Sequence, residues 1–161
     1  MYNKDLELAI LMKKEGKLEE SNELLLQLVS KDPNNGLINY YCGCSFDVLG
    51  LEASAVPYYE KAIEIGLPEE ELKGAYLGLG STYRTLGQYI KAKGVFEAGL
   101  KIFPENKGIQ TFYSMVLYNL GDFSKAMEIS LKNLAETSTN EDIRKYKKAI
   151  EFYSDKLDTI W

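Results

Sequence analysis

The run Gly50-Leu51-Glu52-Ala53-Ser54-Ala55-Val56-Pro57-Tyr58-Tyr59-Glu60-Lys61-Ala62-Ile63 decides how the rest of the chain is read. A glycine opens it, the small Ala55 stands five residues on, and Ala62-Ile63 stand twelve and thirteen on. That spacing keeps small and apolar side chains on one face of a helix beginning just after a glycine turn. Reading backwards, the bulky Phe46 lies four residues before the glycine and the side-chain-free Gly43 seven before it. A first helix therefore runs into the turn with a large and a small inward position of its own. Small residues on both sides of the turn let two antiparallel helices approach closely.

The same pattern recurs on both sides of this run. Gly16, Gly87 and Gly121 open equivalent turns, and the successive glycine spacings are 34, 37 and 34 residues. Ser21, Ala92 and Ala126 repeat the place of Ala55; Ala9, Gly80 and Ser114 repeat that of Gly43. Met12, Tyr83 and Leu117 stand where Phe46 does, and Leu28-Val29, Gly99-Leu100 and Asn133-Leu134 stand where Ala62-Ile63 do. A recurrent period of 34 is the length of one helix–turn–helix repeat. Pro33 and Pro104 end the second helices of their repeats. Pro57 is expected early in its helix, where a missing N–H costs little. The spacing of 37 carries an insertion: Gly66 closes one helix and Pro68 opens the next, with Glu69, Glu70 and Glu71 complementing the helix dipole. The third repeat is thus expected to begin with a first helix about one turn longer.

Beyond the fourth repeat, Thr139-Asn140-Glu141-Asp142 reads as a capping box that opens a final helix. Ile143, Tyr146, Ile150, Tyr153, Leu157 and Ile160 follow at alternating spacings of three and four. The favoured reading is a capping helix docked on the last repeat. The alternative is a coiled-coil-like dimer seam, because the spacing is heptad.

Composition narrows the chemistry. With 45% apolar and 27% charged residues the chain is globular rather than disordered. A formal charge of −5 argues against binding a phosphate backbone, which needs clustered Lys and Arg. There is no histidine, which removes imidazole acid–base catalysis and most zinc and iron ligand sets. Cys42 and Cys44 lie two apart on a predicted helix and point to nearly opposite sides, so neither a mutual disulfide nor a shared metal fits them. Gly74, Gly78 and Gly80 fall inside a predicted helix, not after a strand, so they do not make a phosphate-cradling loop. No cofactor or metal is expected. No apolar run approaches the ~20 residues of a membrane span, and no secretory leader pattern follows Met1. A cytoplasmic location is the expectation.

These turns and small-residue positions resemble the tetratricopeptide-repeat family across residues 2–138, and the run from Gly50 to Ile63 is similar to a bacterial subgroup of it. Asp5, Glu15, Ser130 and Asn133 depart from the pattern, all in the first and last repeats. The resemblance implies an all-α fold, an α-α superhelix of four helix pairs at about 2–35, 36–69, 70–106 and 107–138 within 1–138, with a capping helix at 139–161. It also implies a concave face lined by the first helix of each pair. That face would hold Tyr40, Tyr41, Cys44 and Asp47 in the second repeat, Leu77, Ser81 and Arg84 in the third, and Phe112, Met115, Tyr118 and Asn119 in the fourth. A variant of the family grips a terminal carboxylate with Lys, Asn and Arg. The matching places here hold Leu6, Ile10, Tyr41, Gly74 and Gly78, none of which can do so. For Asp47 and Arg84 two readings stay open, a mutual ion pair or a ligand role. The implied function is a non-catalytic scaffold that binds a protein or peptide segment, with no nucleic acid and no membrane. A self-association module, such as a homodimer, is the alternative.

Overall fold

The computed structural model describes residues 4–161. The expected start of the first repeat at residue 2 lies outside the described residues. Among the described residues ten helices follow one another and there is no strand. They are α1 (Lys4–Lys14), α2 (Leu18–Lys31), α3 (Gly36–Val48), α4 (Glu52–Ile65), α5 (Glu69–Thr85), α6 (Tyr89–Ile102), α7 (Lys107–Asn119), α8 (Phe123–Thr137), α9 (Glu141–Lys145) and α10 (Lys147–Tyr153).

Each of the four glycine turns closes in the same way. Gly16, Gly50, Gly87 and Gly121 all take φ between 70° and 84°, a region closed to most side chains. The amide of the residue after each glycine reaches back to a carbonyl of the first helix: Lys17 to Met12, Leu51 to Phe46, Gln88 to Tyr83 and Asp122 to Leu117, at 2.8–3.0 Å. This is the Schellman closure, which pairs carbonyls that a helix end would leave open. Starts are fixed as well. Asn35, Asn106 and Asp122 accept from the amides of Ile38, Ile109 and Lys125. The insertion reads as expected: α5 has 17 residues against 13 in α3 and α7.

Two compact units divide the chain, Met1–Gln88 and Tyr89–Trp161. In the first, α1 packs on α2, α3 on α2 and α4, and α5 on α4 and α3. Its core joins Leu6, Ala9, Leu25, Leu28, Ile38 and Cys42. The small positions are as close as the spacing requires: Ser21 Oγ donates to the Ala9 carbonyl at 2.7 Å, and Gly43 lies against the Tyr59 ring. In the second unit, α7 packs on α6 and α8, and α10 packs on α8. Phe96, Ile109, Val116, Leu117 and Ala126 are buried there.

Two expectations need correction. Pro57 is the sixth residue of α4, not its first turn, so the Ala53 carbonyl lacks its helical donor. Both residues are exposed, and that carbonyl is open to water. The final segment is not one helix. Asn140, rather than Thr139, caps α9 by accepting from the amides of Asp142 and Ile143. The helix breaks at Tyr146, resumes as α10 and ends at Tyr153. Leu157 and Ile160 therefore lie outside any helix and are exposed, and the heptad spacing makes no continuous seam.

Candidate binding surfaces

In the unit Met1–Gln88, the expected binding residues of α3 are engaged with neighbouring helices. Tyr59 of α4 donates its hydroxyl to Asp47 Oδ2 at 2.7 Å, and Thr82 of α5 donates to Asp47 Oδ1 at 2.9 Å. Both carboxylate oxygens are thus held between three helices. The Tyr59 hydroxyl also lies 3.5 Å from Cys44 Sγ. Burial pushes the Asp47 carboxyl above its ordinary pKa, and the two hydroxyls pull it back. Burial likewise raises the Cys44 thiol and the Tyr59 hydroxyl. Tyr40 packs edge-on against Tyr41, with ring centroids 5.0 Å apart, and tilts over Tyr59 at 6.2 Å.

Two glycines of α5 explain how Tyr40 and Tyr59 fit. A Cβ on Gly74 would stand 2.3 Å from the Tyr40 hydroxyl, and one on Gly78 would stand 2.7 Å from the Tyr59 ring. They are close-approach positions of a helix contact. Tyr41 flanks the core, and Leu77, Ser81 and Arg84 are half-buried along α5.

In the unit Tyr89–Trp161, the corresponding side chains face outward. Met115 and Tyr118 of α7 are exposed, while Phe112 and Asn119 are half-buried. Phe112 and Met115 are three apart and share a helix face. Tyr118 meets the exposed Phe123 edge-on at 5.1 Å. Elsewhere on α7, Tyr113 donates to Glu97 at 2.9 Å and Lys107 pairs with Glu136. Tyr113, Lys107 and Glu136 border an open hollow of about 390 Å³ that also includes Leu100, Ile129 and Lys132. Thr82, the second anchor of Asp47, escaped the sequence reading, as did Phe123 and Met127. No local signal marks Thr82, whose partner lies 35 residues away, whereas Phe123 and Met127 are apolar residues at exposed helix positions.

A family model described as "Tetratrico peptide repeat" matches residues 36–157. The chain belongs to the tetratricopeptide-repeat family. Solved structures agree on the fold. A point mutant of MamA is 21% identical, with 83% of this chain and 76% of that one covered and a TM-score of 0.70. YrrB, titled a TPR protein with an unusual peptide-binding site, is 16% identical over 96% and 86% of the two chains at a TM-score of 0.68. A tetratricopeptide repeat protein from Parabacteroides merdae ATCC 43184 is 18% identical at a TM-score of 0.74, with 92% of this chain but 57% of that one covered. A comparison with curated proteins gives no match. The fold is the all-α, α-α superhelix type that the repeats imply. No helix of the described residues is long and apolar enough to cross a membrane.

Proposed function

We propose that this tetratricopeptide chain is a non-catalytic scaffold that binds a protein or peptide segment on the surfaces of its first helices. One observation carries the reading: α7 leaves Met115 on the surface beside the half-buried Phe112. Thioether and aromatic side chains give contact area at low conformational cost. YrrB, of the same fold, is titled as having a peptide-binding site, which supports the reading. In the first unit, the half-buried Tyr40, Tyr41, Leu77, Ser81 and Arg84 extend the proposal, while Cys44 and Asp47 serve it by holding α3, α4 and α5 in place. Tyr118 and Asn119 complete the proposed set in the second. The repeat boundaries near residues 35, 69, 106 and 138, with 139–161 as a cap on α8, are part of the same proposal.

Selection of peptides from a displayed library on the full chain, followed by affinity measurement, tests it. Phe112→Ala and Met115→Ala are expected to weaken the selected peptides by ~10-fold or more each, because buried anchors dominate such interfaces. Lys61→Ala on α4 is expected to leave affinity unchanged. Equal losses for all three variants, or none for the α7 pair, would refute the assignment.

A further inference from the structure

The run Arg144-Lys145-Tyr146-Lys147-Lys148 holds four cations in five residues, in a chain whose formal charge is −5. The helix pairs make no use of it. α9 ends at Lys145, the helix breaks at Tyr146, and α10 starts again at Lys147. α10 meets α8 with Ile150 half-buried and Ser154 buried, while every residue from Arg144 to Ala149 is exposed. This exposure follows from a break between two helices of the chain. One continuous helix would have set Tyr146 on the same stripe as Ile143 and Ile150, whereas its side chain is 57% exposed.

Elsewhere lysines sit beside glutamates: Lys73 lies 2.7 Å from Glu69, Lys93 3.0 Å from Glu97 and Lys132 2.6 Å from Glu128. Within the run only Lys147 has such a partner, Glu151, at a loose 3.7 Å. Among the described residues, Arg144, Lys145 and Lys148 have no carboxylate within ion-pair distance. Lys145 instead lies over the Tyr146 ring, 5.6 Å from its centroid. Arg144 and Lys145, in the last turn of α9, suit the helix dipole, but Lys147 and Lys148 open α10 and oppose it. A local rule broken on the surface, with no contact that offsets it for Lys148, points to a place kept for a partner.

The extent of the patch decides which partner fits. Glu141 and Asp142 stand before the run and Glu151, Asp155 and Asp158 after it, so residues 141–158 hold five acidic and five basic side chains. A long uniform polyanion, such as a nucleic acid or an anionic lipid surface, would meet these carboxylates along with the cations and be repelled by them. A short cluster of carboxylates meets the cations alone, and Arg144 can take one of them through two parallel N–H bonds. We infer that the exposed run Arg144–Lys148 docks an acidic peptide segment of a partner protein, with Arg144, Lys145 and Lys148 as its cations. Tyr146, set between them, offers its ring and hydroxyl to the side chains beside the carboxylates. The surface uses no residue of α7 and is independent of the α7 reading.

Fluorescence anisotropy of a fluorescein-labelled hexaglutamate peptide with the full chain, at low and at high salt, tests this. Wild type is expected to bind the peptide, more weakly at high salt, and to leave its hexaglutamine counterpart unbound. The triple change Arg144→Gln, Lys145→Gln and Lys148→Gln is expected to weaken binding ~10-fold or more, because three exposed ion pairs are lost together. An equal loss of charge elsewhere, Lys14→Gln with Lys31→Gln and Lys101→Gln, is expected to change affinity by less than ~2-fold, since distant exposed charges are screened. Circular dichroism is expected to be unchanged, as all these positions are exposed and Gln suits a helix about as well as Lys or Arg. Should the first triple variant lose helix, Lys145→Gln with Lys148→Gln takes its place. Oligouridylate RNA and vesicles of phosphatidylcholine with phosphatidylserine are the competing arms. Hexaglutamate left unbound, equal effects of the two triple variants, or tighter binding of either polyanion than of hexaglutamate would overturn the inference.

Discussion

The units Met1–Gln88 and Tyr89–Trp161 carry the same repeat register and use it in opposite ways. In the first, equivalent positions are turned inward: Tyr59, Asp47 and Thr82 join three helices through two hydrogen bonds to one carboxylate. In the second, Ser130 replaces the large side chains that Leu25, Tyr59 and Phe96 supply nine residues after their glycines, and Tyr118, Met127 and Leu134 face water. One sequence pattern therefore specifies a helix pair but not what covers it. Coverage depends on which side chains of other helices reach it, as those of Tyr59 and Thr82 reach Asp47.

The largest expected effect falls on the closed side of this contrast. Gly78→Ala sets a Cβ 2.7 Å from the buried Tyr59 ring, and overpacking of this kind costs ~1–3 kcal/mol. Urea unfolding monitored by circular dichroism measures it. An unchanged midpoint would mean that α4 and α5 are not in close contact. On the second unit the opposite sign is expected. Gly94 lies in mid-α6 with nothing within 4 Å of an added Cβ, so Gly94→Ala should stabilise by ~0.5–1 kcal/mol.

Next comes the network. Tyr59→Phe removes one of two donors to Asp47 and keeps the ring between Gly43 and Gly78. A loss of ~1–3 kcal/mol is expected, since a partly buried carboxylate is left underpaired. Tyr118→Phe, at an exposed ring, should change stability by less than ~0.5 kcal/mol. Equal effects of the two would abolish the distinction between a closed and an open unit.

The smallest effect is a difference in pH dependence. Asp47 has a folded pKa raised by burial, so between its ordinary and its folded value the native state holds more protons than the unfolded chain. Its contribution to stability therefore falls as pH rises through that window and is flat above it. Glu97 on the second unit is lowered, first by the hydrogen bond it accepts from Lys93 and then by the one from Tyr113. Its contribution is present above the unfolded value and fades as pH falls through the folded one. It is exposed and correspondingly weak. In unfolding titrations, Asp47→Asn should gain on wild type as pH rises through the acidic range, and Glu97→Gln should gain as pH falls. The same slope in both variants would contradict the assignment of causes.

Much of the fold was legible because it depends on spacing. Glycines that need positive φ, small residues at close approach and bulky residues one turn away are local signals, and four copies make them unmistakable. The surfaces were harder to read. Whether Asp47 faces a ligand or a hydroxyl depends on Thr82, 35 residues away. Gly74 and Gly78 were legible as helix residues outside any phosphate loop, but not as the slots for Tyr40 and Tyr59. The final segment misled for a different reason. Heptad spacing persists through Ile160, but helix needs continuous backbone bonding, and that ends at Tyr146 and again at Tyr153.

The open α7 surface as the place of binding is tested most directly by side-chain oxidation footprinting of the full chain, with and without a selected peptide. Phe112 and Met115 are expected to be protected on binding, while Tyr113, beside the hollow bordered by Lys107 and Glu136, keeps its rate. Protection of Tyr113 with Phe112 and Met115 unchanged would put the peptide in the hollow and contradict the α7 assignment.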